Sequence, residues 1–162
     1  MKKEFCLILH NVRSAHNVGA IFRTADGCGI DHIYLTGYTP TPPDGSRPFT
    51  TKPERKLIKT ALGSHEFVAW SKVENVDEVF EDLKKRNFQI VALEQGEGSI
   101  DYKKFEPEFP LALVLGNEPV GIDDETLQKC DIMIDIPMRG QKNSLNVSVA
   151  AGIAMYEIMS NF

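Results

Sequence analysis

Residues 5–29 read FCLILHNVRSAHNVGAIFRTADGCG, and this stretch indicates the class of fold. An apolar run at residues 5–9 favours a buried β-strand, and a polar loop follows it. A helical pattern of apolar side chains then covers residues 15–28 and ends at Gly29. The stretch therefore predicts a strand, a loop and a helix, which form the first unit of an α/β fold.

The alternation of strand and helix continues along the rest of the chain. The predicted strands are residues 5–9, 32–35, 67–70, 89–93, 111–115 and 131–136. The predicted helices are residues 15–28, 53–62, 76–86, 123–129 and 146–159. Runs such as LALVL at residues 111–115 are apolar throughout, which is typical of strands covered on both sides. We expect an α/β fold with a mainly parallel sheet and helices on both faces.

One long stretch, GYTPTPPDGSRPFTT at residues 37–51, follows neither pattern. It holds four of the nine prolines, which exclude regular structure there. A loop of this length inside a compact domain is usually functional or disordered.

The composition is that of a folded domain. The chain has 162 residues, of which 42% are hydrophobic and 25% are charged, as in ordinary globular proteins. No run approaches the roughly 20 apolar residues of a membrane-spanning helix, and the first apolar stretch is too short for a signal peptide. We therefore expect a cytoplasmic protein without a membrane partner.

Neither the cysteines nor the histidines predict a metal site. The three cysteines lack CxxC spacing and are expected to be small buried side chains. The four histidines show no ligand spacing and are expected at the surface or as caps. The residues in question are Cys6, Cys28, Cys130, His10, His16, His32 and His65.

The net charge of −5 argues against a nucleic-acid partner, but the charge is unevenly distributed. Residues 1–65 carry +4, residues 66–138 carry −10 and residues 139–162 carry +1. Such a chain can still present a positive face to phosphates.

Several common activities lack their motifs. There is no GxGxxG after the first strand, no GxxxxGK[ST] and no GxSxG, which counts against dinucleotide, P-loop and hydrolase sites. The carboxylate of Glu118 has no partner at a fixed spacing, so paired-carboxylate glycosidase chemistry is not indicated. The GxG within residues 94–99 is explained by a turn after a strand.

Ligands of parallel sheets bind beyond the carboxyl ends of the strands, so the loops there are the candidate site. After the first strand come Asn11, Asn17 and Arg23, near a helix start that favours anions. Asn17 is also explained as an N-cap, and Arg23 as a solvated helix residue. After the strand at 111–115 comes Gly116, where a ligand can approach the backbone closely, and then Glu118. Glu118 is also explained as a carboxylate that caps a helix.

The third candidate loop covers residues 137–146 and leads into a helix rich in small residues. A polar loop with a glycine beside such a helix suits a cofactor ring placed against exposed backbone. Ser144 or Asn146 is also explained as the N-cap of that helix.

Three segments together resemble a known family. They are NVRSAHNVGAIFRTA (residues 11–25), LVLGNEPVGI (residues 113–122) and IPMRGQKNSLNVSVAAGIAMYE (residues 136–157). In order, spacing and residue type they resemble the three motifs of the SpoU/TrmH family of RNA ribose methyltransferases, in the SPOUT superfamily. The resemblance implies a deep C-terminal trefoil knot, an exception to the rule that chains do not thread loops. It also implies a homodimer that binds S-adenosylmethionine in the knot loops and methylates tRNA or rRNA at a ribose 2′-hydroxyl.

The resemblance further implies roles for individual residues. The cofactor cradle would be Leu93, Gly116, Asn117, Ile136, Met138 and Leu145. The catalytic group would be Arg23, Asn17, Glu118, Ser144 and Asn146. A guanidinium stays protonated and accepts no hydrogen bond, so we expect Arg23 to hold a phosphate and stabilise developing oxyanion charge, while water or the RNA phosphate takes the proton. Asn17 and Ser144 would place the ribose or Arg23, and Glu118 would tether the loops through backbone N–H groups.

We expect residues 1–162 to form a single methyltransferase domain without an appended RNA-binding domain, so that RNA contacts come from its own cations. The candidates are Arg13, Arg47, Lys52, Arg55, Lys56, Lys59, Arg139 and Lys142. The cations of residues 52–59 are also explained as a solvated helix face. Two other functions stay open: a knotted RNA-binding or assembly protein without catalysis, and a small-molecule enzyme with another nucleotide ligand.

Overall fold

A computed structural model of the chain describes residues 3–160. The strands are β1 (Phe5–His10), β2 (His32–Thr36), β3 (Trp70–Val73), β4 (Gln89–Leu93), β5 (Ile100–Asp101), β6 (Leu111–Leu115) and β7 (Ile132–Asp135). The helices are α1 (Ala15–Cys28), α2 (Lys52–Ala61), α3 (Val76–Lys85), α4 (Asp124–Gln128) and α5 (Val147–Ser160), with a 3-10 turn at Ser64–Glu66.

The strands form one sheet in the order β3-β2-β1-β6-β4-β7-β5. Every neighbouring pair is parallel, which confirms the expected parallel sheet. Strands β1, β6, β4 and β7 are consecutive in this order. The loops that follow them therefore meet at one edge of the sheet, where ligands of such folds bind.

Helices cover both faces of the sheet, as predicted. On one face α1 and α5 contribute buried side chains such as Phe22 and Met155, together with Leu57 of α2. On the other face α3 contributes Val79, Phe80 and Leu83, and α4 contributes Leu127. Strands β1 and β6 are buried along their whole length because both of their faces are covered.

The third strand differs from its prediction. It begins at Trp70 rather than residue 67, because the chain first makes the 3-10 turn, in which the Phe67 N–H donates to Ser64 O at 3.0 Å. Phe67 is 78% exposed, so the apolar run at 67–70 is not a buried strand. Strand β5 was not predicted, since its two residues carry no pattern and pair only with β7.

Two expectations about single side chains need correction. His10 is only 8% exposed, and its Nδ1 lies 2.9 Å from Thr36 Oγ1, so it is neither a surface residue nor a cap. Cys6 is buried as expected, but Cys28 and Cys130 are only partly buried. None of the helices within residues 3–160 is long and apolar enough to cross a membrane.

The C-terminal third of the chain passes from one face of the sheet to the other. From β6 the chain crosses β4 to reach β7, and α4 in this crossing packs on the α3 face. After β7 the chain returns along the carboxyl edge, and α5 then packs beside α1 on the opposite face. The trefoil knot implied by the resemblance stays a prediction.

Candidate functional site

The N-terminus of α1 carries the first part of the candidate site. Ser14, not Asn17, is the N-cap: its side chain accepts from the Asn17 backbone N–H at 3.3 Å. Asn17 therefore lies in the first turn of the helix, and its side chain is free to bind elsewhere.

Glu118 joins the loop after β6 to the start of α1. Its Oε2 accepts from the Arg13 N–H at 2.9 Å, and its Oε1 accepts from the Ser14 N–H at 3.1 Å. The same Oε1 accepts from Asn17 Nδ2 at 3.0 Å. One carboxylate thus fixes two loops that are more than 100 residues apart in sequence.

The surroundings of Glu118 favour its ionised form. Partial burial raises the pKa of this carboxyl, but the hydrogen bonds from Asn17 and from the Arg13 and Ser14 backbone outweigh burial, so the pKa lies below its ordinary value. At neutral pH the group is a fixed negative charge and a hydrogen-bond acceptor, not a proton donor.

Asn146 extends this group towards the C-terminal loop. Its Nδ2 donates to Asn17 Oδ1 at 3.2 Å, and its Oδ1 accepts from the Ser148 N–H at 2.9 Å at the start of α5. Of the two N-cap candidates it is therefore Asn146 that caps the helix. Glu118, Asn17 and Asn146 form a continuous hydrogen-bonded chain, and we name these three residues the polar cluster.

The loop at residues 116–121 requires glycine at position 116, and Asn117 fixes it to neighbouring loops. A Cβ on Gly116 would lie 2.7 Å from the backbone nitrogen of Ile122, so only glycine fits. Asn117 is 8% exposed, and its Nδ2 donates to Asn11 O at 3.1 Å and to Tyr38 Oη at 2.8 Å. The amide of Asn117 therefore joins this loop to those after β1 and β2.

A cleft of about 310 Å³ lies at the carboxyl ends of β4, β6 and β7. All six residues predicted for the cofactor cradle line it, namely Leu93, Gly116, Asn117, Ile136, Met138 and Leu145. Glu118 and Ser144 line it as well, so the polar cluster reaches the wall of the cleft. Its size falls within the range of roughly 300–1,000 Å³ that is usual for small-molecule sites.

Glu94 is a residue of this cleft that sequence reasoning missed. Its Oε2 accepts from the Ile122 N–H at 3.0 Å, and it lies against Gly121, where a Cβ would come within 2.2 Å of that oxygen. The available signal was its place as the first charged residue after the apolar run at 89–93.

Arg23 lies apart from the cleft. It is exposed on α1, beyond the polar cluster along the helix, and forms no hydrogen bond or ion pair within residues 3–160. The next residue, Thr24, meets Gly152 of α5. The catalytic role of Arg23 stays a prediction, as do those of the other residues of the catalytic group.

The predicted RNA-binding cations fall in three places. Arg13 is exposed before α1, and Arg139 and Lys142 are exposed in the loop at residues 137–146. The largest group lies on or just before α2 and comprises Arg47, Lys52, Arg55, Lys56 and Lys59. This third group is joined to α1, because Thr60 Oγ1 donates to His16 O at 2.8 Å beside Asn17.

Curated relatives of this chain belong to a known family. The SpoU rRNA Methylase family model matches residues 4–156. A relative from Staphylococcus saprophyticus, named for the TrmH family of tRNA/rRNA methyltransferases, is 36% identical over 157 residues, or 97% of this chain and 59% of that protein. The chain thus spans little more than half the length of the curated relatives it matches.

Solved structures share the fold. The TrmH/SpoU tRNA modifying enzyme of A. aeolicus is 33% identical with a TM-score of 0.81, covering 98% of this chain and 75% of that one. The AdoMet-bound rRNA methyltransferase of Sinorhizobium meliloti is 28% identical with a TM-score of 0.83, covering 99% and 57%. A structure from work on the 2-OH methylation of C/U34 on tRNA is 26% identical with a TM-score of 0.78, covering 96% and 94%. The matched region contains the first two motif segments and all but the last residue of the third, and the chain belongs to the SpoU rRNA methylase family.

Proposed function

We propose that this protein is an S-adenosylmethionine-dependent RNA 2′-O-ribose methyltransferase that acts on tRNA or rRNA as a homodimer. The observation that carries the proposal is the bridge made by Glu118, which lines the cleft and accepts hydrogen bonds from Arg13, Ser14 and Asn17. A pocket for a methyl donor and a polar group for an acceptor are thereby held together. The trefoil knot of the family and a single domain over residues 1–162 belong to the same proposal.

The cleft fits S-adenosylmethionine chemically. Apolar side chains of Leu93, Ile136 and Leu145 can cover an adenine ring. At Gly116 the backbone is not covered by a side chain, so the ligand can contact it directly. Glu94 adds a carboxylate for a polar or cationic part of the ligand. When bound, S-adenosylmethionine would supply a methyl group on a positively charged sulfur. The sulfur is an excellent leaving group because it departs as a neutral thioether.

The protein's own task is to prepare the acceptor. A ribose 2′-hydroxyl is a poor nucleophile until its proton leaves, so it must be oriented and its developing negative charge must be stabilised. Asn17 and Asn146 offer amides in a hydrogen-bonded chain that starts at Glu118 in the wall of the cleft, and the Ser144 hydroxyl, which lines the cleft, has no hydrogen-bond partner within residues 3–160. These groups are suited to hold a ribose. The anionic Glu118 is suited to fix Asn17, not to accept the proton, because its hydrogen bonds keep its pKa low.

The surface of α5 supports a homodimer. Val149, Ile153 and Tyr156 lie on one side of this helix, opposite the buried Ala151 and Ile158, and Val149 and Tyr156 are 50% and 54% exposed. An exposed apolar stripe on a helix is typical of a subunit interface.

This interface would also explain the position of Arg23. The helix that carries Arg23 borders the stripe, because Gly27 lies against Tyr156 Oη. In a dimer formed through α5, Arg23 therefore lies near the partner and is available to that subunit's acceptor. Its guanidinium can then hold an RNA phosphate and stabilise oxyanion charge.

Methyl transfer from labelled S-adenosylmethionine to bulk tRNA and rRNA lacking modifications tests the function, with nuclease digestion to locate the label. We expect a 2′-O-methylated nucleoside from one RNA class, lost in Arg23→Ala and kept in the matched Lys85→Ala on the opposite face. Label on a base, or no transfer by a protein that binds neither cofactor nor RNA, would overturn the proposal. Tight RNA binding without transfer to any RNA would favour the non-catalytic RNA-binding protein.

Arg23→Lys tests the proposed role of the guanidinium. Lysine keeps the charge but loses the planar pair of donors, so we expect a rate at least about tenfold lower at every pH. A full rate across the pH range would show that a bidentate guanidinium is unnecessary.

A further inference from the structure

Two exposed aromatic rings lie on the loop at residues 37–51, between β2 and α2. Tyr38 is 59% exposed and Phe49 is 63% exposed, so each presents apolar ring surface to solvent. Proteins that bind unpaired RNA use such rings as platforms on which bases stack.

The start of the loop is anchored to the sheet and to the cleft. Lys72 of β3 donates through Nζ to Thr39 O at 3.0 Å and also to Gly37 O. Tyr38 lies between these anchors, and its hydroxyl accepts from Asn117 Nδ2 at 2.8 Å. Because Asn117 lines the cleft, the ring of Tyr38 lies close to the mouth of that cleft.

The end of the loop is anchored to α2. Thr51 and Glu54 form a capping box, and the largely buried Glu54 carboxylate also pairs with Arg47. The Arg47 guanidinium lies 5.8 Å from the centre of the Phe49 ring. Both rings are therefore held on an ordered loop, which lowers the entropic cost of binding a base.

Positively charged side chains follow Phe49 along α2. The cations at positions 52, 55, 56 and 59 share one face of the helix by their spacing, and all four are exposed. Glu54, the one carboxylate of α2, is buried and paired. An RNA strand whose base stacks on Phe49 would thus find partners for its phosphates on α2.

We propose that the loop at residues 37–51 is a stacking platform for unpaired RNA. Tyr38 takes a base close to the target ribose, and Phe49 takes a base further along the strand, whose phosphates lie on α2. This inference rests on the proposed function and adds that the modified nucleotide lies in an unpaired segment, because the faces of bases inside a duplex are covered by their neighbours.

Fluorescence anisotropy of the full chain with labelled oligoadenylate, single-stranded or annealed to oligouridylate, tests the platform. We expect the single strand to bind more tightly, and Phe49→Ala and Tyr38→Ala each to weaken it about tenfold. The same factor should appear at every salt concentration, since stacking displaces no counterions. Lys56→Gln, by contrast, should reduce the salt slope by about 0.7.

Matched variants separate stacking from other causes. Tyr38→Phe keeps the ring and loses only the hydroxyl, so it should bind nearly as well as the wild type. Phe67→Ala removes a still more exposed ring outside the loop and should have no effect. Wild-type affinity in both alanine variants, equal binding of duplex, or an equal loss in Phe67→Ala would overturn the platform while leaving the methyltransferase proposal intact. A wild type that neither binds nor methylates RNA would overturn both.

Discussion

Glu118 connects the cleft to α1 through one side chain, so a change at this residue tests the connection directly. In Glu118→Gln one oxygen becomes an NH₂ that faces an N–H donor, and the negative charge is lost. We expect the free energy of unfolding at pH 7 to fall by roughly 1–2 kcal/mol. Urea denaturation measures it, with Glu81→Gln on the exposed face of α3 as the control.

The same variant predicts a pH dependence. Because the folded-state pKa of Glu118 lies below the unfolded value of about 4.3, its charge stabilises the fold above that pH. The stabilisation is lost as the pH falls through the folded-state pKa. The gap between wild type and Glu118→Gln should therefore be constant between about pH 5 and 7 and should narrow in more acidic buffer. A gap that widens towards acid would contradict this account of the carboxylate.

Single residues show how far the sequence predicts the site. Five of the six predicted cradle residues lie in the motif segments that follow β6 and β7, and the sixth, Leu93, ends β4, so all six line the cleft at the carboxyl ends of neighbouring strands. The sequence did not reveal that Ser14 caps α1 and leaves the Asn17 side chain to bind Glu118, because both residue types suit an N-cap. Nor did the sequence show that His10 is buried. Its hydrogen-bond partner Thr36 belongs to β2, and sequence pattern alone does not give the register in which β2 pairs with β1.

At the scale of elements, the crossing of α1 and α2 depends on Gly19. A Cβ there would lie 2.2 Å from Leu57 O and 2.1 Å from Thr60 Oγ1, so the helices must separate to accept a side chain. We expect Gly19→Ala to lower the free energy of unfolding by about 2 kcal/mol and to weaken RNA binding, because α2 carries the cations. Thermal unfolding together with anisotropy measures both effects.

Gly152 of α5 is the matched control for this prediction. A Cβ there meets only the methyl group of Thr24 at an ordinary 3.4 Å. Alanine has a higher helix propensity than glycine, so Gly152→Ala should leave stability unchanged or raise it by up to about 1 kcal/mol. Equal destabilisation by the two substitutions would show that helix interiors here respond to glycine loss in general, and not to the close crossing.

Elements were predictable in proportion to their patterns. The five-residue strands β4 and β6 match their predicted bounds, since largely apolar runs of this length leave little ambiguity. The apolar run at residues 67–70 was ambiguous because its first ring faces solvent. The two-residue β5 is fixed by its pairing with β7 alone, and such tertiary pairing leaves no local signal.

At the scale of the whole molecule, the strand order and the assembly lie beyond sequence pattern. Alternating strands and helices predict a parallel sheet but not that β6 lies between β1 and β4. That placement brings the loops after β1, β4, β6 and β7 together. In the same way, periodicity marks α5 as apolar without saying which of its sides meets another subunit.

The homodimer makes the last prediction. A charge buried in an apolar interface is left without water or a partner, so Val149→Asp should convert the protein to monomers at micromolar concentration. Sedimentation velocity measures this, and Leu62→Asp, which places the same charge on another exposed apolar residue, should leave the dimer intact. If Arg23 serves the partner subunit, the Val149→Asp monomer should keep cofactor binding, because no cradle residue lies on the stripe, yet lose methyl transfer. A monomer with full activity would place Arg23 in the service of its own cleft, and a wild type that is already monomeric would remove the dimer from the mechanism.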